Sequence, residues 1–214
     1  MIEDMSEREV REQIALHGRS LYDRGYSHGS SGNISVRLTR GILITPTNSS
    51  LGRLDPDRIS LVASDGRHLS GDKPSKEAFL HLAMYERRAK DHAVVHLHST
   101  HSVAVSCLAD IDPRDVLPPI TAYYVMRVGK LPLVPYYPPG DAGLAEAVAS
   151  LAGDTRAVLL ANHGPVISGS DLESAVCAAE EMEESAKLFL LLRRESARFL
   201  NSEQCAELNR RFPS

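Results

Sequence analysis

Two periodicities trade places along the 214-residue chain. Ser6-x-x-Glu9 reads as a capping box, and Ile14, Leu16 and Leu21 give part of one face an apolar character, so a helix is expected from 6 toward Gly25. The small polar turn His28-Gly29-Ser30-Ser31-Gly32-Asn33 breaks that pattern, and Ile34-Ser35-Val36-Arg37-Leu38 then alternates with the period of a strand. Gly41-Ile42-Leu43-Ile44-Thr45-Pro46 supplies a hairpin partner ended by proline, and 59–63 a further strand closed by Asp65-Gly66. Helical character returns over 75–90, with Phe79, Leu82, Ala83 and Tyr85 near one face. An apolar, β-branched run leads to a strand over 94–98, and 102–108 starts another helix. Residues 111–139 are rich in proline and hold Tyr123-Tyr124. Beyond them 141–151 reads as helix, 157–160 as a buried strand running into Asn162-His163-Gly164, and Ser170-x-x-Glu173 as the cap of a long helix to about 196. With no repeat, low-complexity tract or dividing linker, the pattern predicts one mixed α/β domain over 1–214.

Composition narrows the partners more than the fold. Hydrophobic residues make up 43% of the chain and charged residues 24%, as in ordinary soluble domains. A net charge of −4 argues against nucleic acid, which is met by a basic face, but leaves room for phosphorylated small molecules. Cys107, Cys177 and Cys205 are odd in number, far apart and without a C-x-x-C pair, which fits a reducing compartment. The acidic start Met1-Ile2-Glu3-Asp4-Met5, with no apolar run behind it and no span of membrane length, sets a cytoplasmic protein without a membrane partner as the expectation.

The chemistry concentrates in histidine. In Val94-Val95-His96-Leu97-His98 two imidazoles stand two residues apart, and on a strand positions i and i+2 share a face, so His96 and His98 can converge on one metal ion. His163 ends a buried strand, where loops commonly carry ligands, and three neutral imidazoles leave a metal position open for substrate. A turn histidine bonded to backbone is the plain alternative for His163. Glu77 follows Gly71-Asp72-Lys73-Pro74-Ser75-Lys76 at the start of a helix, where the dipole alone accounts for a carboxylate; a metal-linked acid/base is the sharper alternative. Ser30-Ser31-Gly32-Asn33, Thr47-Asn48-Ser49-Ser50 and Ser75-Lys76 are small, polar turns able to offer donors to a phosphate. His17, His28, His68, His81, His92 and His101 are expected to be surface or structural. His96-x-His98-x-x-His101 also resembles the metallo-β-lactamase signature, but Thr100 stands where that chemistry requires an aspartate.

Taken in order, Ser30-Ser31-Gly32-Asn33-Ile34-Ser35, Thr45-Pro46-Thr47, Ser75-Lys76-Glu77, His96-Leu97-His98 and Asn162-His163-Gly164 resemble the class II aldolase/adducin family over nearly the whole chain. The resemblance implies a three-layer α/β/α sandwich with a mixed, mostly antiparallel central sheet, a homotetramer with active sites between subunits, and a divalent metal, zinc before Mn2+ or Co2+. It implies His96, His98 and His163 as metal ligands, with Glu77 a catalytic acid/base that also ligates. It places Gly32, Asn33, Thr47, Asn48, Ser75 and Lys76 around a substrate phosphate, and a tyrosine, Tyr123 before Tyr124, in a neighbouring subunit's site. Aldolases of the family usually read Thr-Gly where Thr47-Asn48 stands and Ser-Ser-Glu where Ser75-Lys76-Glu77 stands. That lysine, with the run from Gly71 and Tyr123-Tyr124-Val125-Met126-Arg127-Val128-Gly129, is similar to the branch that decarboxylates 3-oxo-tetronate 4-phosphates. A second cation suits a substrate carrying both carboxylate and phosphate. The rivals are a fuculose 1-phosphate-type aldolase, a 4-epimerase, and an adducin-like module without catalysis.

Overall fold

The computed structural model describes residues 5–138 and 141–212, so the acidic start at 1–4 and the end of the proline-rich stretch at 139 lie outside the described residues. An eight-stranded sheet runs through the molecule in the order β4-β3-β2-β1-β5-β8-β7-β6. Its strands are β1 (Asn33–Leu38), β2 (Gly41–Ile44), β3 (Ser60–Val62), β4 (His68–Ser70), β5 (Ala93–His96), β6 (Leu133–Val134), β7 (Ala157–Leu160) and β8 (Gly164–Gly169). Every described pairing is antiparallel except β6 with β7, as expected of a mostly antiparallel sheet.

Alternation along the strands feeds two cores, one per sheet face. Ile34, Val36, Leu43, Leu61, Val95, Leu159 and Ile167 pack with Val10, Ile14 and Leu21 of α1 (Glu7–Asp23) and with Ala175, Ala179 and Met182 of α6 (Leu172–Leu192). Ile42, Ile44, Val62, Val94, Val158 and Val166 point the other way, against Leu80 and Met84 of α2 (Ala78–Arg87) and Leu144 and Val148 of α5 (Ala142–Ala152). Helices on both faces of one sheet make the three-layer α/β/α sandwich. The described residues also form the shorter α-helices α3 (Thr100–Ser106), α4 (Ala122–Arg127) and α7 (Ser202–Arg211). Among the described residues, no helix is long and apolar enough to cross a membrane.

Several expectations need correction. Leu16 is 60% exposed; α1 buries Val10, Ile14, Gly18 and Leu21 instead, spaced three or four apart on one side. The cap of α6 is Asp171, whose carboxylate takes the Ser174 N–H, rather than Ser170. α2 begins at Ala78, not at 75, because Ser75 N–H bonds to Thr45 O next to the antiparallel bridge that Pro74 makes with Pro46. The fifth strand ends at His96, so His98 lies beyond it.

Candidate functional site

Sheet register decides what meets at the site. Asn33 of β1 and Val166 of β8 are the cross-strand partners of His96, so the three side chains share the sheet face that packs on α2. The Glu77 carboxylate stands at the N-terminal end of α2 over this row. His98 lies two residues past His96, between the end of β5 and the extended Ser99 that precedes α3. His163 arrives from the β7–β8 turn. Asn162 there has φ 56° and Gly164 φ 156°, and a Cβ on Gly164 would stand 2.3 Å from Leu97 O. Glycine thus lets the His163 turn press against the backbone between His96 and His98.

The result is convergence of ring nitrogens. His96 Nε2 lies 3.0 Å from His98 Nε2 and 3.3 Å from His163 Nε2, and the latter two are 3.0 Å apart. Glu77 Oε1 is 3.1 Å from His163 Nε2, and Oε2 is 3.5 Å from His96 Nε2. Ligand bonds of about 2.05 Å in a tetrahedron put neighbouring ligand atoms ~3.3 Å apart, close to this spacing. The tautomer agrees. His96 Nδ1 donates to Pro165 O at 2.8 Å, which leaves Nε2 as a bare acceptor turned toward the other two rings. Three mutually adjacent Nε2 atoms cannot all satisfy one another, so the donor set fits a divalent cation.

Electrostatics also favour ligand-ready forms. Burial lowers the pKa of His98 to about 3, helped by His96 and His163, and burial likewise lowers that of His96. Both rings are therefore neutral at pH 7, as a metal requires. For Glu77 burial acts upward, but His96, His163 and the Asn33 amide outweigh it and hold the carboxyl below its usual range.

The phosphate candidates come to the same place. A cleft of about 290 Å3 is lined by Gly32, Asn33, Thr47, Asn48, Ser75 and Lys76 together with Glu77, His98 and His163. Among the described residues Lys76 forms no ion pair, and it is exposed. Asn33 differs from the others: it is 3% exposed, and its Nδ2 is spent on Glu77 Oε2 at 2.7 Å, so its side chain serves the carboxylate before any phosphate. On the far side of His98 and His163 a second cleft of about 640 Å3 is lined by His28, Thr100, Tyr136, Tyr137 and Asn162. Tyr137 borders both clefts and had no motif to announce it; its ring packs over Gly143, where a Cβ would approach to 3.0 Å.

Tyr123 is not part of either cleft of its own chain; it is 59% exposed on α4, with Arg127 stacked at 5.6 Å. Tyr124 is 2% exposed, its hydroxyl has no partner among the described residues, and burial raises its pKa, so it is a core residue. His101 turns away from the histidine cluster and binds Glu183 Oε1 through Nδ1 at 2.8 Å.

Comparison with known proteins identifies the family. The family model for the class II aldolase and adducin N-terminal domain matches residues 12–190. The 3-oxo-tetronate 4-phosphate decarboxylase of Escherichia coli (strain K12) is 51% identical over 203 residues, covering 94% of this chain and 96% of that one. The L-fuculose phosphate aldolase of Methanocaldococcus jannaschii is 40% identical over 174 residues, covering 81% and 91%. Among solved structures, YgbL from Escherichia coli superposes with a TM-score of 0.92 at 50% identity, covering 94% of this chain and 98% of that one. An L-fuculose 1-phosphate aldolase superposes with 0.85 at 27% identity, covering 95% and 96%. With the family model spanning the strands and turns that build the histidine cluster, the chain belongs to the class II aldolase and adducin family.

Proposed function

We propose that the protein is a metal-dependent carbon–carbon lyase that converts a 3-oxo-tetronate 4-phosphate to dihydroxyacetone phosphate and CO2 in sugar-acid catabolism, working in the cytoplasm as one domain. The observation that carries this reading is the single cleft in which Glu77, His98 and His163 share walls with Lys76 and the small polar turns. Relatives named for that reaction, about half identical over nearly their full length, support it.

His96, His98 and His163, with Glu77, would hold the divalent ion, zinc first and Mn2+ or Co2+ as substitutes. Bound there, the ion supplies a Lewis acid for charge developing on the substrate's ketone oxygen. The remaining work falls to side chains. Gly32, Thr47, Asn48 and Ser75 bind the phosphate, and Lys76 offsets the second anionic group. The substrate's C1–C2 bond breaks, its electron pair moves toward the ketone and CO2 leaves; Glu77, ionised at rest, takes up a proton from solvent and passes it to C2, where the returning electron pair forms the new C–H bond. Tyr123, exposed on α4, reaches the site of a neighbouring subunit in a homotetramer.

The second reading is a sugar-phosphate aldolase of the fuculose 1-phosphate type, favoured by the 40% identical relative of that name; a 4-epimerase ranks after it. Both reactions leave negative charge beside a ketone, so one frame serves either. A coupled assay for dihydroxyacetone phosphate, run on the 3-oxo acid phosphate and on L-fuculose 1-phosphate with and without chelator, separates them. Turnover of the acid alone, abolished by chelator, is expected; turnover of the fuculose ester alone would reverse the choice. Lys76→Ser should raise KM for the acid phosphate about tenfold or more, the worth of one charge-assisted hydrogen bond, and affect a neutral sugar phosphate far less.

A further inference from the structure

α2 and β1 meet along a polar seam inside an otherwise apolar layer. Glu77, His81 and Tyr85 recur every four residues on the helix, about 6 Å of rise per step. Asn33, Ser35 and Arg37 recur every two on the strand, about 6.6 Å per step. The matched repeats interleave the two sets. Asn33 Nδ2 bonds to Glu77 Oε2 at 2.7 Å, Asn33 Oδ1 to His81 Nε2, and His81 Nδ1 to Ser35 Oγ at 2.7 Å. Ser35 Oγ in turn lies 2.9 Å from Tyr85 OH, and the Arg37 guanidinium covers the Tyr85 ring at 4.5 Å.

Proton positions in this chain follow by elimination. An ionised carboxylate only accepts, so the nitrogen of the Asn33 carboxamide faces Glu77 and its oxygen faces His81. His81 Nε2 must then carry the hydrogen, Nδ1 is left to accept, and the Ser35 hydroxyl donates to it. His81 is fully buried, and burial drives its pKa down to about 3, so the ring stays neutral and holds one tautomer.

We propose that His81 is a positioning residue for the reaction: its Nε2–H fixes the Asn33 carboxamide, the carboxamide pins Glu77 Oε2, and Oε1 is thereby held toward His163 and the substrate that meets the cluster there. This rests on the reading of Glu77 as the proton-transfer group. Without His81 the carboxamide is free to invert and set its oxygen against the carboxylate, which would turn Glu77 away from the cluster. Supporting partners of this kind typically change rate or affinity by about 10–100-fold.

The test uses a partial reaction common to decarboxylase and aldolase, exchange of the hydroxymethyl hydrogen of dihydroxyacetone phosphate with D2O, followed by NMR. His81→Phe should slow exchange and kcat at least tenfold while KM and bound metal per chain stay within twofold. His81→Gln, whose carboxamide can still donate to Asn33 Oδ1, should recover most of the loss. Ser35→Ala, which removes the donor to Nδ1, gives the same direction should His81→Phe not fold. Nitrogen-15 shifts of His81 in the metal-free protein should report the neutral Nε2–H tautomer from pH 5 to 8. Unchanged exchange in His81→Phe, no recovery in a folded His81→Gln, or an Nδ1–H tautomer would each overturn the proposal. Exchange by the wild type without decarboxylation would overturn the substrate reading and leave this one standing; no exchange at all would remove the role of Glu77 and this proposal with it.

Discussion

Gly164→Ala is the sharpest probe of how backbone packing builds the histidine cluster. A Cβ there would lie 2.3 Å from Leu97 O and 3.5 Å from His98 Cα, whereas ordinary contact begins near 3.4 Å. The difference, 3.4 minus 2.3, means about 1.1 Å of separation between the start of β8 and the strand that delivers His96 and His98. Neither side can swing away as a flexible side chain could, because both are backbone. The φ of 156° adds strain for any residue with a side chain, ~1–3 kcal/mol, and loss of the hydrogen bonds to Pro165 O from Leu97 N and His96 Nδ1 adds ~1 kcal/mol each. The expected loss of unfolding free energy in urea is thus about 3–5 kcal/mol for the metal-free protein. Since the three Nε2 atoms sit 3.0–3.3 Å apart, an ångström of shift should also weaken metal binding by about tenfold or more. Gly153→Ala is the matched control: its φ is −63° with none of the described residues within 4 Å of the added carbon, so stability should hold or rise by up to ~1 kcal/mol. If Gly164→Ala unfolds within ~0.5 kcal/mol of wild type and binds zinc equally well, the close approach does not set the cluster.

Three further outcomes follow from the same geometry. Zinc held at 100 times its dissociation constant should stabilise the chelated protein by about 2.7 kcal/mol, read as a rise in Tm; a Tm indifferent to Zn2+, Mn2+ and Co2+ would refute the metal site. Glu183 is buried and accepts from the backbone N–H groups of His101 and Ser102 at 2.8 Å each, from Ser102 Oγ at 2.7 Å and from His101 Nδ1 at 2.8 Å. Glu183→Ala strands those donors at the start of α3 and should cost ~2–4 kcal/mol in urea unfolding, a loss below 1 kcal/mol counting against it. His81 has a folded pKa of about 3 against 6.5 when free, so below pH 6.5 the unfolded chain binds a proton that the folded chain refuses. Its contribution is full above 6.5 and falls as pH drops toward 3, by about 1.4 kcal/mol per unit. The metal-free wild type should therefore lose stability over that window more steeply than His81→Gln, by one proton; parallel curves would show His81 to titrate normally.

What the sequence reveals here depends on whether burial leaves a periodic trace. The β1–β2 hairpin and β7 are legible because alternate or continuous apolar residues face a core on each side. β4 is exposed at all three positions and β6 has two residues, so neither leaves a pattern to read. β8, Gly-Pro-Val-Ile-Ser-Gly, opens on two residues that normally break strands, yet it is buried throughout and pairs on both sides. Pro165 survives there because its carbonyl carries the local bonding, to Leu97 N and His96 Nδ1. α4 hides in the proline-rich stretch behind a Thr121 cap, and α7, capped by Asn201 and Gln204, buries no residue and so has no apolar face to mark it. At the site, His-x-His and the glycines are local signals. His81 is not, because its meaning lies in matching Glu77-x3-His81-x3-Tyr85 to Asn33-x-Ser35-x-Arg37 across 44 or more positions.

That matching explains why register, more than any single ligand, specifies the site. Asn33, His96 and Val166 lie abreast on β1, β5 and β8, and each strand also carries core residues on the opposite face. A slip of one residue in β5 would send His96 to the α6 side and bring Val95 to the α2 side, breaking both cores at once. The apolar alternation that stabilises the sheet therefore also holds the histidines in place, and the site needs no separate scaffold. It also limits where specificity can be altered. Changes at Asn33, Ser35 or His81 disturb the proton-transfer frame, whereas Lys76 and Tyr137 border the clefts from a turn and a loop outside the register. Two family members that break different bonds can thus share the sheet and the histidines and differ in those walls, which is where substitutions should convert one activity into the other.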